Sequence, residues 1–356
     1  MREQWMRQVL LTGHSGYLGS VMVTALQAAG YRPVGLDTGF FEGCDFADGS
    51  TRGAIPALRK DVRDVTAEHL EGYGAVIHLA ALCNDPLGEL NPELTLEINH
   101  KATVRLARLA KQAGVGRFLF ASSCSIYGAS STDQMVNEEA PMCPLTAYGV
   151  SKIRCEEDLA KLAGDAFSPV FMRNATAYGV SPRLRGDVVL NNLVSWAVAS
   201  GRVRVLSDGT PWRPLVHAED IARAFVAVLD APAEIIHNQA FNVGADSDNY
   251  QVRELAEIVG ETVPGCSIEY AEGGGPDPRS YRVDFGKLAR MLPAAVPRWN
   301  VRAGASQLYD ALRRQPASVS DFREGKFNRL ARFKTLLASG RLDQSLRWRV
   351  GAQAAC

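Results

Sequence analysis

Short apolar runs recur along the first half of the chain, each followed by a stretch whose apolar residues return every three or four positions. Val9-Leu10-Leu11 is apolar without interruption and leads into Thr12, the mark of a strand covered on both faces. Tyr17 to Ala29 carries apolar residues at helical spacing and stops at Gly30, a residue suited to ending a helix. Pro33 to Leu36 predicts a second strand, and Ala75 to Ala80 and Arg117 to Ala121 predict two more. Between these last two lies a long helical pattern from about Pro92 to Ala113, with Leu94, Ile98, Val104, Leu106 and Leu109 mostly on one face and Gly114 closing it. Pro144 is placed to open the next helix. Strands alternating with helices predict an α/β fold built on a doubly wound parallel sheet with right-handed crossovers.

After about Arg173 the rhythm becomes irregular. Ser181 to Asp187 is a loop rich in Pro, Arg and Gly, Asp187 to Ser200 predicts a helix, and Val203 to Leu206 predicts a short strand. Gly273-Gly274-Gly275-Pro276-Asp277-Pro278 is a further loop. The division expected is a sheet domain over residues 1–173, with a return at 216–244, and a smaller domain made of 174–215 and 245–356. Residues 321–340 predict one basic amphipathic helix, packed or solvated. No internal repeat and no low-complexity tract is visible.

Lys plus Arg equals Asp plus Glu, at 39 each, so the charge balance makes no case for a nucleic-acid or membrane partner. The seven cysteines are Cys44, Cys83, Cys124, Cys143, Cys155, Cys266 and Cys356. Their number is odd and no two are spaced as in a zinc knuckle, which argues against a disulfide framework and a metal site. Met1 to Gln8 is polar and unlike a signal peptide, and no apolar run is long enough to cross a bilayer. A cytoplasmic location is expected.

Two motifs carry the chemistry. Gly13-His14-Ser15-Gly16-Tyr17-Leu18-Gly19 follows the first strand and opens the first helix. In this context Gly13 permits a tight turn, Gly16 leaves room for a pyrophosphate, and Gly19 lets the helix pack closely on the sheet. The helix N-terminus offers free N–H groups to the phosphates. Asp37, at the end of the second strand, can accept hydrogen bonds from both adenosine ribose hydroxyls and would repel a 2′-phosphate. NAD is therefore expected rather than NADP. The second motif is Tyr148-Gly149-Val150-Ser151-Lys152. Tyr148 and Lys152 share a helix face, and a neighbouring ammonium and a positive nicotinamide both favour the phenolate. Such a group can take a hydroxyl proton while hydride leaves the same carbon.

In this order the two motifs resemble the extended short-chain dehydrogenase/reductase family, in the group of NAD-dependent nucleotide-sugar epimerases and dehydratases similar to UDP-glucose 4-epimerase. The resemblance implies a Rossmann domain with a smaller C-terminal substrate-binding domain, and a homodimer. Ser123, four residues before Tyr127 in Ser122-Ser123-Cys124-Ser125-Ile126-Tyr127, matches the hydroxyl that meets the reacting oxygen and joins Tyr148 and Lys152 as a catalytic residue. For the cofactor it implies Ser15, Tyr17 and Leu18 beside the glycines, Asp61 and Val62 around the adenine, Leu79, Ala80 and Ala81 at a strand end, and Asn99 bracing that strand. His78 and Cys124 are expected to be structural, and His217 a neighbour of a helix cap.

For the substrate the resemblance implies Arg213 and Arg279 on a diphosphate, Asn192 beside it, and Asn84, Ser123, Ser125 and Thr176 around the sugar. Thr176 departs from the Asn common there, and the Cys83 to Gly88 loop departs from the usual 4-epimerase loop. Dehydratases of the group carry Asp-Glu where this chain has Cys124-Ser125. The function implied is NAD-dependent epimerisation of a nucleotide-diphosphate sugar, at C4 through a 4-keto intermediate. A nucleotide-sugar dehydratase or 4-keto reductase is the alternative enzyme, and an NAD-binding scaffold the alternative without catalysis.

Overall fold

The computed structural model describes residues 7–46, 55–83, 85–128, 134–271 and 279–351. The first half alternates as its apolar pattern predicts: β1 (Gln8–Thr12), α1 (Tyr17–Ala28), β2 (Arg32–Asp37), β3 (Ala57–Arg59), β4 (Ala75–His78), α2 (Ala102–Gln112), β5 (Arg117–Ser123), α3 (Ala147–Ala160) and β6 (Ser168–Asn174). Then come β7 (Thr176–Tyr178), α4 (Val189–Ser200), β8 (Arg202–Val205), β9 (Trp212–His217), α5 (Ala218–Asp230) and β10 (Gln239–Val243). The remainder holds β11 (Asn249–Gln251), α6 (Val252–Thr262), β12 (Ser267–Tyr270), α7 (Val301–Arg314) and α8 (Arg329–Ala338).

Seven strands form one sheet in the order β10-β6-β5-β4-β1-β2-β3, every pairing parallel. The period of two along β1 explains the two cores. Val9 and Leu11 join the cluster under α1 and α5, while Leu10, between them, points into the opposite cluster with Leu106 and Leu159. Strand order reverses beside β1, so a crevice opens above its carboxyl end between the loops after β2 and β4. The chain does return to this sheet, at β10. β9 pairs instead with β7 and β11 in a separate three-stranded sheet.

Three expectations need correction. The helix after Pro144 begins at Ala147, because Thr146 is its N-cap and accepts a hydrogen bond from the Gly149 N–H (3.2 Å). The long helix from Pro92 is interrupted by a π-helical turn, Glu97–Lys101. The helix expected over 321–340 is two pieces, Val319–Arg323 and α8. Between them Gly325 has φ +105° and lies against the Arg332 main chain, where an added Cβ would come within 2.8 Å of its nitrogen.

Candidate active site

The carboxyl ends of the central strands open into a cavity of about 850 Å³ that reaches from Gly13 and Asp37 to Arg213 and Arg279. At one end stands the glycine turn. Gly13 has φ +73°, and a Cβ there would come within 2.9 Å of the Ala80 nitrogen. A Cβ on Gly19 would lie 2.0 Å from the Gly13 carbonyl oxygen. No side chain caps α1, and its first turn carries no acidic residue. Its N–H groups and positive dipole end are therefore available to an anion. The Asp37 carboxylate accepts from the N–H groups of Ser15 (3.1 Å) and Gly39 (2.8 Å), which fixes it at the cavity wall with lone pairs to spare. These features fit a dinucleotide. Tyr17, Leu18, Asp61, Val62, Leu79, Ala80 and Ala81 share the wall.

Asn99 and His78 act one step behind it. Asn99 lies in the π turn; its side-chain Oδ1 accepts from Leu82 N (2.8 Å), and its Nδ2 donates to Leu82 O (3.0 Å) and Ser151 Oγ (3.2 Å). It thereby ties the strand-end loop to the helix that carries Tyr148. The Thr103 hydroxyl donates to Asn99 O (2.6 Å), so it accepts from His78 Nε2 (2.8 Å), leaving His78 Nδ1 to accept from Thr12 Oγ1 (2.7 Å). Burial, then the Lys152 charge, lowers His78 to about 3. It is a neutral brace.

Ser123, Tyr148 and Lys152 converge on the same cavity. Ser123 ends β5, faces the Tyr148 phenol closely enough to lower its pKa, and donates to Ser125 Oγ (3.1 Å). Lys152 Nζ stands 5.5 Å from the Tyr148 ring centroid and donates to Ala121 O (2.6 Å). The expected drift of Tyr148 toward phenolate is not met by the protein's own groups. Burial raises its phenol above the ordinary range, Cys83 adds to this, and the Ser123 hydroxyl opposes it. Lys152 is itself lowered by burial, and its ammonium is directed at a carbonyl. Tyr148 is thus held as a phenol until a positive charge is brought against it.

Ser125, Thr176, Asn192, Arg213 and Arg279 also line the cavity; Asn84 lies outside the described residues, as does the 272–278 loop. The Asn192 amide donates to Gly186 O (2.7 Å), and Arg279 pairs with Asp85 (2.8 Å). Cys124 does not face the site. Its thiol donates to Arg173 O (3.2 Å), and burial raises it far above the ordinary thiol range. His217 caps α5, its Nδ1 accepting from Glu219 N (3.2 Å). Sequence reasoning missed several wall residues: Cys83, Asp85, Arg185 and Tyr281. Tyr281 is hydrogen-bonded to Ser125 and sits two places after Arg279, so the same motif could have flagged it. Arg185 lay unassigned in the Ser181 to Asp187 loop.

The chain is similar to UDP-glucose 4-epimerase from Mus musculus, 29% identical over 296 residues that span 74% of this chain and 84% of the relative. It is 30% identical to UDP-glucose 4-epimerase from Erwinia amylovora over 304 residues, spanning 74% of this chain and 84% of the relative. Among solved structures, MoeE5 in complex with UDP-glucuronic acid and NAD superposes with a TM-score of 0.75 at 29% identity, covering 86% of this chain and 99% of that one. The family model described as the NAD dependent epimerase/dehydratase family matches residues 9–244, and the chain belongs to that family.

Proposed function

We propose that this protein inverts C4 of a UDP-linked hexose, using NAD that is regenerated in each cycle. The observation that carries the reading is the wall around the reacting end of the cavity. Ser123, Tyr148 and Lys152 stand together there, and the adjoining position is Ser125, hydrogen-bonded to Ser123 and Tyr281. Elimination of water would need a further acid and base. The carboxylates nearby are already held: Asp85 by Thr146 (2.6 Å) and Arg279, and Asp187 by Arg185 (2.8 Å).

NAD, when bound, would supply the acceptor and donor of the C4 hydride. Tyr148 takes the C4 hydroxyl proton and returns it to the same oxygen once the 4-keto sugar has presented its other face for hydride return, Ser123 hydrogen-bonds that oxygen, and Lys152 holds the phenol's surroundings. Arg213 and Arg279 anchor the diphosphate, which suits a planar fork. The glycine turn, Asp37 and the Leu79 to Ala81 edge hold the dinucleotide. No helix of the described residues is long and apolar enough to cross a membrane; a homodimeric, cytoplasmic enzyme is part of the proposal.

The test is turnover of UDP-glucose and UDP-glucuronic acid in D₂O, followed by NMR. Inversion at C4 with its hydrogen retained, no deuterium at C3 or C5, and no need for added NADH is the expected result. Deuterium at C5 or C3 would shift the reading to a dehydratase or 3,5-epimerase. Cys83 would then be the candidate acid or base, since it lines the cavity whereas Cys124 is sealed behind it. Stoichiometric consumption of NADH would mark a reductase.

A further inference from the structure

The C-terminal stretch beyond the matched family region folds back over the first half of the chain. Its α8 buries Phe333 and Leu336 in a cluster with Leu82, Leu87 and Ile98. Phe333 packs edge-on against Phe40 (5.2 Å) and Phe41 (5.7 Å). Arg332 donates to Phe40 O (3.1 Å) and Glu42 O (3.0 Å). Further along, Trp348 Nε1 donates to Thr38 O (2.7 Å), and Arg347 pairs with Asp64 and Asp61. Phe40 and Thr38 belong to the loop after β2, and Leu82 to the loop after β4. Those two loops flank the crevice above β1, so residues 327–348 bridge it from one rim to the other. Phe41, Asn328, Arg329 and Phe333 line the same cavity as Gly13 and Asp37.

Where this bridge meets the cavity lies an excess of buried positive charge. Arg185 and Arg329 are only 7% and 1% exposed, and both line the cavity. They share one carboxylate: Asp187 accepts from Arg185 Nε (2.8 Å) and from the Arg329 main-chain N–H (3.1 Å). Arg329 also donates to Arg183 O (2.9 Å) and lies 4.1 Å over the Phe41 ring. Arg185 Nη2 and Arg329 Nη1 find no hydrogen-bond partner among the described residues. Buried guanidinium groups without full compensation are costly, and Arg329 is lowered to about 10 by burial and then by Arg185. Both charges act on the Tyr17 phenol, which reaches from the first turn of α1 to Gly179 O (2.8 Å).

We infer that residues 327–348 are a built-in strap over the dinucleotide crevice, and that Arg329 within it and Arg185 beneath it supply the counter-charge for the diphosphate of NAD. The inference rests on the NAD site described above. Release of NAD then requires the strap to lift.

The full-length protein carrying NAD is chased with excess etheno-NAD, and release is followed by fluorescence. The binding of NAD, ADP-ribose and adenosine to nucleotide-stripped protein is measured by calorimetry. Arg329→Gln should speed exchange at least tenfold and weaken NAD and ADP-ribose by a similar factor while leaving adenosine unchanged, and Arg329→Lys should recover part of the loss. Trp348→Ala, which loosens the rim without touching the charge, should speed exchange for NAD and weaken adenosine as well. Circular dichroism and Tm establish that each variant is folded. Wild-type exchange rates in folded Arg329→Gln and Trp348→Ala would overturn the strap. Equal losses for adenosine and ADP-ribose in Arg329→Gln would overturn the counter-charge. Failure of the wild-type protein to bind NAD would overturn the NAD site itself and this inference with it.

Discussion

Replacing Tyr148 with Phe removes one oxygen and almost no volume, so it isolates the phenol's chemistry from its packing. The oxygen now faces Ser123, and Lys152 remains fixed by Ala121 O at 2.6 Å whether or not the phenol is there. Loss of a positioned general base lowers turnover by about 10²–10⁴-fold, equivalent to roughly 3–5 kcal/mol of barrier. The pH profile sharpens the test. Burial raises Tyr148 above its ordinary range and the positive nicotinamide would oppose this when bound, so the proton-accepting form is the minor one only below the resulting pKa. Its population grows about tenfold per pH unit below the pKa, and kcat/KM for the wild-type enzyme should climb with pH. In Tyr148→Phe the climb should vanish along with the rate, while NAD affinity and Tm stay close to wild type. Epimerisation of UDP-glucose, read by NMR across pH 6–9, provides both numbers. A Phe variant with near-normal turnover, or one that keeps the wild-type pH slope, would refute the assignment of Tyr148 as the proton acceptor.

Two further perturbations test the cofactor end and the core. Asp37→Asn removes the carboxylate that would face a 2′-phosphate, while Lys60 remains on the same wall; the NAD over NADP preference should shrink by about tenfold or more, or ~1.4 kcal/mol, by calorimetry, and an unchanged preference would show that Asp37 does not face the ribose. Asp248 is 2% exposed, its Oδ1 has no hydrogen-bond partner among the described residues, and burial followed by Asp220 raises it to about 7. A raised carboxylate binds more protons in the folded state, so stability should fall as pH rises from about 4 to about 7 and then level, by on the order of 4 kcal/mol in all. Asp248→Asn should flatten that slope and raise Tm at pH 8, and a slope equal to wild type in the variant would remove Asp248 as its source.

What could be foreseen from the sequence was local. A strand covered on both faces needs an unbroken apolar run, and Val9-Leu10-Leu11 supplies one. A helix packed against a crossed turn needs glycine where Gly13 and Gly19 stand, because a Cβ at either would collide with main chain. Tyr148 and Lys152 share a face because helical geometry requires it. These constraints act within a few residues, and motif spacing records them. Where pattern failed, tertiary contacts or a single backbone residue decided. Periodicity joined residues 321–340 into one helix, and the left-handed Gly325 divides it. Pro144 is a plausible helix opener, yet Thr146 has the side chain that can cap the free N–H groups.

The cavity wall shows the same division more sharply. Arg185 carries no periodic signal and sits in a loop of mixed composition, but that loop lies over α1: Ser181 donates to Tyr17 O (2.8 Å), and Phe46 N donates to Pro182 O (3.0 Å). Its position in the site is set by partners more than a hundred residues away in sequence. Cys83 and Cys124 make the complementary case. Both are lone thiols, and the sequence reading makes Cys124 structural but gives Cys83 no role. Cys124 directly follows β5 in a 3₁₀ turn and turns inward to Arg173 O, while Cys83, on the loop tied down by Asn99, faces Arg185 at 3.4 Å. Which of two similar residues faces the cavity depends on the direction in which a turn leaves its strand, and that direction is fixed by hydrogen bonds from Asn99 and Ser123 rather than by the residues in question.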